Sequence, residues 1–274
     1  MLPTIEIGSF RLNVYWLIYC LAIVAGGMLG FHRLTKGGVS SRHALIGVLL
    51  IIWAGVAGSV LFKSLVIALR DLALTGELAW QLDRGSAFLG ALAGAIGAGW
   101  FWFRRHGVFL GRAFDLWIVP VPLGQAIGRV CCLAAACCHC KPTASWLGLY
   151  LPDHDGFWAM RYPTQLLGSA ADLIIFFALL RLERAINHRQ AGRSYWGFPG
   201  MLFVAYILLY SAKRFAIEFL RGDTTLRLAG AWTLTHVFYA MIFLVALALS
   251  LWRWVAGGRK TSSHVPGTCK VPCT

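Results

Sequence analysis

Hydrophobic residues occur along this chain in long runs that short polar segments separate. Seven runs approach or exceed the roughly 20 residues that a helix needs to cross a bilayer. They cover about 13–32, 44–69, 86–103, 113–137, 164–181, 197–219 and 230–252. The third run is rich in Gly and Ala, which favours close helix packing over lipid exposure. The pattern predicts an all-α, polytopic membrane protein with about seven transmembrane helices.

The composition agrees with this class. Of 274 residues, 58% are hydrophobic and only 13% are charged, whereas about a quarter of a soluble domain is charged. A disordered chain, a collagen and a small disulfide scaffold are excluded. No internal repeat or linker divides the chain, so we expect one domain over 1–254 and a disordered polar tail over 255–274. The first residues lack a basic segment and a small-residue cleavage site, so no removed signal peptide is expected.

The distribution of basic residues predicts the orientation in the membrane. The net charge is +14, from 25 Lys and Arg against 11 Asp and Glu. Such an excess is typical of cytoplasmic loops and of contacts with anionic lipid, and no soluble basic domain exists to bind nucleic acid. Fourteen cations flank the spans on one predicted side and ten lie on the other. The bias favours an outer N-terminus and a cytoplasmic C-terminus.

Five charged residues lie within or at the ends of the apolar spans: Asp115, Arg129, Asp172, Arg214 and Glu218. A charge at the centre of a membrane helix costs about 2.5–3.5 kcal/mol on insertion scales, so these side chains should face a polar interior. Asp115 and Arg129 are 14 residues apart, about 21 Å along a helix, so they share a face without touching.

Arg214, Glu218 and Arg221 have helical i, i+4, i+7 spacing and should form one stripe. One interpretation is a structural ladder of ion pairs at the outer end of the sixth helix. The other is a phosphate site, because the guanidinium group grips phosphate through paired hydrogen bonds. In a membrane the nearest phosphate is a phospholipid headgroup, so Arg129 and Arg214 indicate a lipid whose phosphate is bound or expelled.

Five stretches in order resemble motifs of the prolipoprotein diacylglyceryl transferase family. They cover about residues 10–250, and each motif alone is weak. The matching stretches are VYWLIY at Val14–Tyr19, RGSAFLGALAG at Arg84–Gly94, DLWIVPVPLGQAIGR at Asp115–Arg129, RYPTQL at Arg161–Leu166 and YSAKRFAIEFLRGD at Tyr210–Asp223. In register they identify the chain as a divergent member of this family.

The resemblance implies a seven-helix enzyme of the bacterial plasma membrane that transfers the diacylglyceryl group of phosphatidylglycerol to the thiol of a prolipoprotein cysteine. A thioether forms and glycerol phosphate leaves. The residues expected to bind or orient the phosphate are Arg129, Arg214 and Glu218. The residues expected to complete the substrate site are Tyr15, Tyr210, Arg221, Gln165 and Asp115.

The sequence departs from the family pattern directly after Arg129. Cys132 stands at the family's Asn, Cys137 at its Glu and Cys140 at its final Gly, while Leu89 stands at the family's third-helix His. The groups that could move protons are therefore absent, whereas the anion-binding arginines and both tyrosines are present. The sequence thus keeps the residues expected to bind the lipid and lacks those expected to activate the thiol.

The replacing segment holds five cysteines and His139 within ten positions. Small apolar packing, a disulfide, a soft-metal site and a reactive thiolate are all compatible with it. The candidate metal ligands are Cys137, Cys138, His139 and Cys140, although the spacing is not that of a zinc motif. Arg129 nearby would favour a nucleophilic thiolate, with Cys132 and Cys137 as the candidate reacting groups.

The leading hypothesis is a transferase-like enzyme acting on phosphatidylglycerol or a similar anionic lipid, with a lipoprotein precursor or another thiol as acceptor. It needs no cofactor, and its site should face the outer leaflet. The alternative is a membrane thiol-redox or soft-metal-binding protein that uses Cys131–Cys140 without lipid transfer. Transport is not favoured, because the chain has no internal repeat.

Overall fold

The computed structural model describes residues 4–7, 10–76, 88–134, 140–152, 157–191, 198–222, 227–229 and 232–260. Within these ranges the chain forms eight helices: α1 Val14–Lys36, α2 Ser41–Thr75, α3 Phe88–Arg105, α4 Leu110–Ile118, α5 Pro120–Ala134, α6 Thr164–Ala191, α7 Met201–Glu218 and α8 Leu234–Lys260. The all-α polytopic class is confirmed.

Five segments among the described residues are long and apolar enough to cross a membrane. They are α1, α2, α4 with α5, α6 and α8. Helices α3 and α7 have 18 residues each, and α7 carries Lys213, Arg214 and Glu218. The count of seven spans and the positions of the termini therefore stay predictions.

The fourth apolar run, expected as one helix, is divided at Val119 into α4 and α5. Pro120 has no backbone N–H, so it cannot bond the carbonyl of Leu116 one turn earlier. Arg33 of α1 supplies the missing donor, with its Nε 3.0 Å from that carbonyl oxygen. The Arg33 Nη2 also pairs with Glu183 of α6 at 2.6 Å. One arginine thus joins three helices at the break.

Three two-stranded antiparallel hairpins lie outside the helices, one before α1 and two in connections between helices. They are β1 Thr4–Ile7 with β2 Phe10–Asn13, β3 Leu149–Pro152 with β4 Trp158–Arg161, and β5 Arg227–Ala229 with β6 Trp232–Thr233. The hydrophobic pattern did not predict them, because each strand has only two to four residues. The hairpins precede α1, α6 and α8. The prediction of seven alternating spans makes these three helices parallel, and with it we expect the hairpins at one end of the bundle.

Two apolar clusters form the interior. One joins α1, α2, α3 and α4 through Leu34, Ala44, Val48, Ile51, Phe103 and Ala113. The other joins α4, α6, α7 and α8, with Val119 beside them, through Ile118, Val119, Ile175, Leu179, Leu202, Tyr206, Tyr210 and Tyr239. Apolar side chains on the outer faces are largely exposed, among them Met28 at 68%, Trp53 at 70% and Leu244 at 61%. Such faces suit contact with lipid.

Candidate active site

A polar cleft lies where α5, α6 and the end of α7 meet. Its lining residues are Arg129, Thr164, Gln165, Gly168, Lys213, Arg214, Ile217 and Arg221. Arg129, Arg214, Arg221 and Gln165 were expected in a common site, and the structure brings these four together. The cleft has a volume of about 10 Å³, which is about what one water needs. The space between the cationic side chains is therefore narrow.

Arg129 is the least constrained cation of the cleft. Within the part of the chain that the structure describes, Arg129 makes no ion pair and no hydrogen bond. Its side chain passes close to Gly168 of α6, where a Cβ would lie 3.5 Å from Arg129 Cδ in ordinary van der Waals contact. The aliphatic part of Arg129 thus packs against α6 at Gly168. Its guanidinium is available for an anion.

Glu218 lies between the two arginines of the predicted stripe. Its Oε2 is 3.7 Å from Arg214 Nη2 and 4.0 Å from Arg221 Nε. Both ion pairs are long, and the buried Oε2 and Arg214 Nε have no hydrogen-bond partner among the described residues. The stripe exists, but its contacts are looser than those of a closed ladder. These guanidinium groups can therefore accept a stronger anionic partner.

Lys213 also lines the cleft, although no sequence pattern predicted a role for it. Lys213 Nζ lies 2.5 Å from Asp172 Oδ1, and both side chains are buried. Its ammonium also lies 4.4 Å from the centre of the Tyr210 ring. The signal that could have found this pair is Asp172 itself, because an intramembrane carboxylate needs a partner. Lys213 stands next to Arg214 in a predicted span.

Tyr210 lies beneath the cations of the cleft and is 6% exposed. Its ring stacks on Tyr206, whose hydroxyl donates to Gln125 Oε1 at 2.9 Å. Tyr239 of α8 is 6.2 Å from Tyr210 and 5.3 Å from Arg214 Cζ, measured from its ring centre. The rings of Tyr210 and Tyr239 therefore make cation–π contacts with Lys213 and Arg214.

Cys140 packs against two residues that line the cleft. Its Sγ lies 2.7 Å from Thr164 Oγ1 and donates to Gln165 Oε1 at 3.4 Å. Its carbonyl accepts a hydrogen bond from Arg161 Nη1 at 3.1 Å, and its backbone forms a β-bridge with Arg221. The buried thiol thus holds the first turn of α6 beside the cleft.

The other cysteines of the segment are only partly described. Cys131 is buried, and its Sγ donates to the carbonyl of Tyr15 at 3.2 Å. This contact places the start of α1 beside the end of α5, and Cys132 is half-buried there. Cys137, Cys138 and His139 lie outside the described residues, as does the side chain of Leu89. Among the residues that are described, no group of three or more potential ligands could hold a metal ion.

Asp115 is not brought to the cleft. Its carboxylate accepts hydrogen bonds from the backbone N–H of Gly200 at 2.7 Å and of Phe203 at 3.1 Å. These two bonds satisfy free donors at the start of α7. Asp115 lies in α4 and Arg129 lies 14 positions further along the chain in α5, beyond the break at Val119. In this structure Asp115 acts as a helix cap.

The side chains at the cleft carry a net positive charge. Arg129, Lys213, Arg214 and Arg221 face it, and the carboxylates paired with them belong to Asp172 and Glu218. Four positive and two negative groups leave an excess of two positive charges. A phosphate monoester carries close to two negative charges at neutral pH, and a phosphodiester carries one. The site therefore complements either ligand.

Sequence comparison agrees with these features. A sequence model described as prolipoprotein diacylglyceryl transferase matches residues 3–252. Three relatives carry the name phosphatidylglycerol–prolipoprotein diacylglyceryl transferase. The Clostridium tetani protein is 26% identical over 80% of this chain and 84% of its own. The Stenotrophomonas maltophilia protein is 28% identical over 90% and 89%. The Geobacillus kaustophilus protein is 34% identical over 63% and 61%. The chain therefore belongs to the prolipoprotein diacylglyceryl transferase family and is an enzyme of that transferase class.

Proposed function

We propose that this enzyme transfers the diacylglyceryl group of phosphatidylglycerol, or of a similar anionic phospholipid, to the thiol of a prolipoprotein cysteine or another thiol acceptor. The observation that carries the proposal is the cleft with its excess of two positive charges. Three helices contribute to it, and its aromatic floor lies within the apolar bundle. The names of the relatives support the same substrates.

The proposed reaction exchanges one bond for another. The acceptor thiol loses its proton to water, and the thiolate forms a carbon–sulfur bond with the glyceryl carbon that carries the phosphate ester. The carbon–oxygen bond to phosphate breaks, and its electron pair leaves on glycerol phosphate. The leaving group gains one negative charge, which the excess cations of the cleft stabilise more strongly in the transition state than in the ground state.

Arg129 and Arg214 would bind the phosphate, with Arg221 at the edge of the cleft and Glu218 orienting the arginines. Tyr15, Tyr210 and Gln165 would complete the headgroup site. Cys132 and Cys137 stand where the family has Asn and Glu, and we propose that one of them faces the acceptor thiol. No cofactor takes part in this scheme. We further propose that the protein lies in the bacterial inner membrane with the cleft toward the outer leaflet.

Purified protein with phosphatidylglycerol and a thiol peptide tests the proposal, with lipidated peptide and released glycerol phosphate as the two products measured. Arg129→Ala should lower turnover by about 100-fold or more, because it removes a donor to the developing charge. Arg129→Lys should recover only part of that loss, since a point charge cannot form the paired bonds. Arg184→Ala, on an exposed face of α6, is the matched control. Intact phosphatidylglycerol with every acceptor, together with unchanged lipid binding by Arg129→Ala, would refute the proposal.

The cysteine segment separates this function from the alternative of a thiol-redox or soft-metal protein. In the double variant Cys132→Asn with Cys137→Glu, the family residues are restored, and we expect prolipoprotein transfer to rise. Thiol counting and metal analysis on the unmodified protein provide the other arm. Stoichiometric metal, or a redox-active cysteine pair without lipid transfer, would favour the alternative.

A further inference from the structure

Helix α8 presents a buried histidine to α7 behind the arginine stripe. His236 is 0% exposed. Its Nδ1 accepts a hydrogen bond from the backbone N–H of Thr233 at 3.1 Å and lies 2.8 Å from the Thr233 hydroxyl. A backbone N–H can only donate, so Nδ1 must be the acceptor and the proton of the neutral ring must lie on Nε2. His236 therefore offers one donor, and the fold fixes its tautomer.

That donor is buried without a partner. His236 Nε2 makes no hydrogen bond within the described part of the chain, and the same holds for Glu218 Oε2. A buried polar atom without a partner costs free energy, so each such atom in a native fold needs an explanation. A donor and an acceptor in this state, on neighbouring helices of one site, indicate a bond that forms in another state of the enzyme.

The imidazole packs against the end of α7. The His236 ring lies 5.1 Å from Phe215 and 4.2 Å from Phe219, measured between ring centres. Glu218 follows Phe215 at i+3, on the same side of the helix, and directly precedes Phe219. The charged groups that act on the imidazole are Glu218 and Lys141, and Lys141 Nζ already donates to the carbonyl of Phe219 at 2.8 Å.

The same register continues one turn along α8. Tyr239 follows His236 at i+3 and lies against Arg214, which precedes Glu218 at i−4. Tyr239 thus packs against Arg214, and His236 packs against Phe215 and Phe219, which lie three residues before and one residue after Glu218. Helix α8 forms a second layer behind the groups that line the cleft.

We propose that His236 is a positioning residue that receives the Glu218 carboxylate when a phosphate binds. In the structure Glu218 occupies the space between Arg214 and Arg221 at 3.7 and 4.0 Å. A lipid phosphate competes for the same guanidinium groups and repels the carboxylate. The Nε2–H of His236 then donates to Glu218 and holds it off the arginines. This inference rests on the proposed function, because the displacing anion is the phosphate of the lipid substrate.

Three substitutions at His236 separate this role from simple packing. His236→Gln keeps a donor near the position of Nε2, whereas His236→Asn keeps an acceptor near Nδ1 but has no donor that reaches Glu218. His236→Phe keeps the aromatic volume and loses both groups. We expect the KM for phosphatidylglycerol to rise about tenfold in the Phe and Asn variants. The change in kcat should be smaller, and Gln should restore KM to within about threefold. Rescue by Asn and not by Gln, or an unchanged KM in all three, would overturn the inference.

Glu218→Gln supplies the matched background. If His236 acts through Glu218, His236→Phe should change KM no further in that background. A direct measurement does not depend on turnover: on addition of phosphatidylglycerol in micelles, the NMR signal of the His236 Nε2 proton should move downfield in the wild type and not in Glu218→Gln. If the signal moves while no product forms, the proposed transfer fails and the positioning role stands. If product forms and the signal does not move, the positioning role fails alone.

Discussion

The two carboxylates near the cleft are held in different ways. Asp172 and Lys213 form a short, buried pair at 2.5 Å, whereas Glu218 is 3.7 and 4.0 Å from its arginines. Removing one partner of a tight buried pair leaves an uncompensated charge, which is strongly destabilising. Long pairs release their partners at less cost. We therefore regard Asp172–Lys213 as structural support and Glu218 as the exchangeable carboxylate.

Asp115 provides a test of a residue whose expected role and observed contacts differ. We expect Asp115→Ala to lower the free energy of unfolding by about 0.5–2 kcal/mol, because the start of α7 loses its cap. Asp115→Asn should lose less, since an amide oxygen still accepts one bond. Thermal unfolding in detergent measures both, and the KM for phosphatidylglycerol should stay unchanged. A raised KM with normal stability would instead support the substrate-binding role expected from the sequence.

The predicted site residues that lie together in the structure share one property: local spacing or a motif defines them. Arg214, Glu218 and Arg221 follow the helix repeat, and Arg129 and Gln165 belong to motifs. Lys213 pairs with Asp172 across 41 positions, and His236 packs against Phe219 from another helix. Such contacts depend on which helices are neighbours, and hydrophobic periodicity does not contain that information.

At the scale of elements, α2 and α3 pack with their backbones in contact. A Cβ built on Gly90 would lie 2.2 Å from the carbonyl oxygen of Gly58, and one on Gly58 would lie 2.4 Å from that of Gly90. One turn further, a Cβ on Gly94 would lie 2.2 Å from the oxygen of Ala54. The Gly- and Ala-rich third run was predicted to pack closely, and this contact confirms it.

Gly90→Ala should therefore separate the two helices. We expect the free energy of unfolding to fall by about 1–3 kcal/mol, because the added methyl meets backbone that cannot rotate away. Gly97→Ala in the same helix is the control, since a Cβ there has nothing within 4 Å. It should change stability by less than about 0.5 kcal/mol. Equal melting temperatures for the two variants would show that the contact carries little energy.

Element boundaries were less predictable than element type. The apolar run around Val119 continues through the break, so hydropathy alone reads it as one helix, and only Pro120 indicates the division. The three hairpins have strands of two to four residues, too short to show a two-residue alternation. Apolar runs therefore indicate where helices occur, whereas the break at Pro120 and the short hairpins depend on local backbone chemistry that hydropathy does not record.

For the whole molecule, the cleft lies at the end of the bundle that carries the β3–β4 hairpin. This follows from the position of Arg221 after α7 and of Cys140 before β3. The orientation prediction places that end outside the cytoplasm. Added protease should cut a tag at the C-terminus only in inverted membrane vesicles. It should cut a tag at the N-terminus only in spheroplasts, in which the outer face of the inner membrane is accessible. Cleavage of the C-terminal tag in such cells would show the opposite orientation.

Arg33 shows that the cations outside the cleft are not interchangeable. The sequence pattern assigns it to the fourteen cations that flank the spans on the predicted cytoplasmic side, yet it also bonds the Leu116 carbonyl that Pro120 leaves without a donor. A lysine would keep the charge at this position but could not bond that carbonyl and Glu183 with one rigid, planar group. Selection should therefore hold Arg33 as strictly as a catalytic residue. In a ranking of positions by mutational tolerance, Arg33 would stand among the active-site residues, although its role is to hold three helices together.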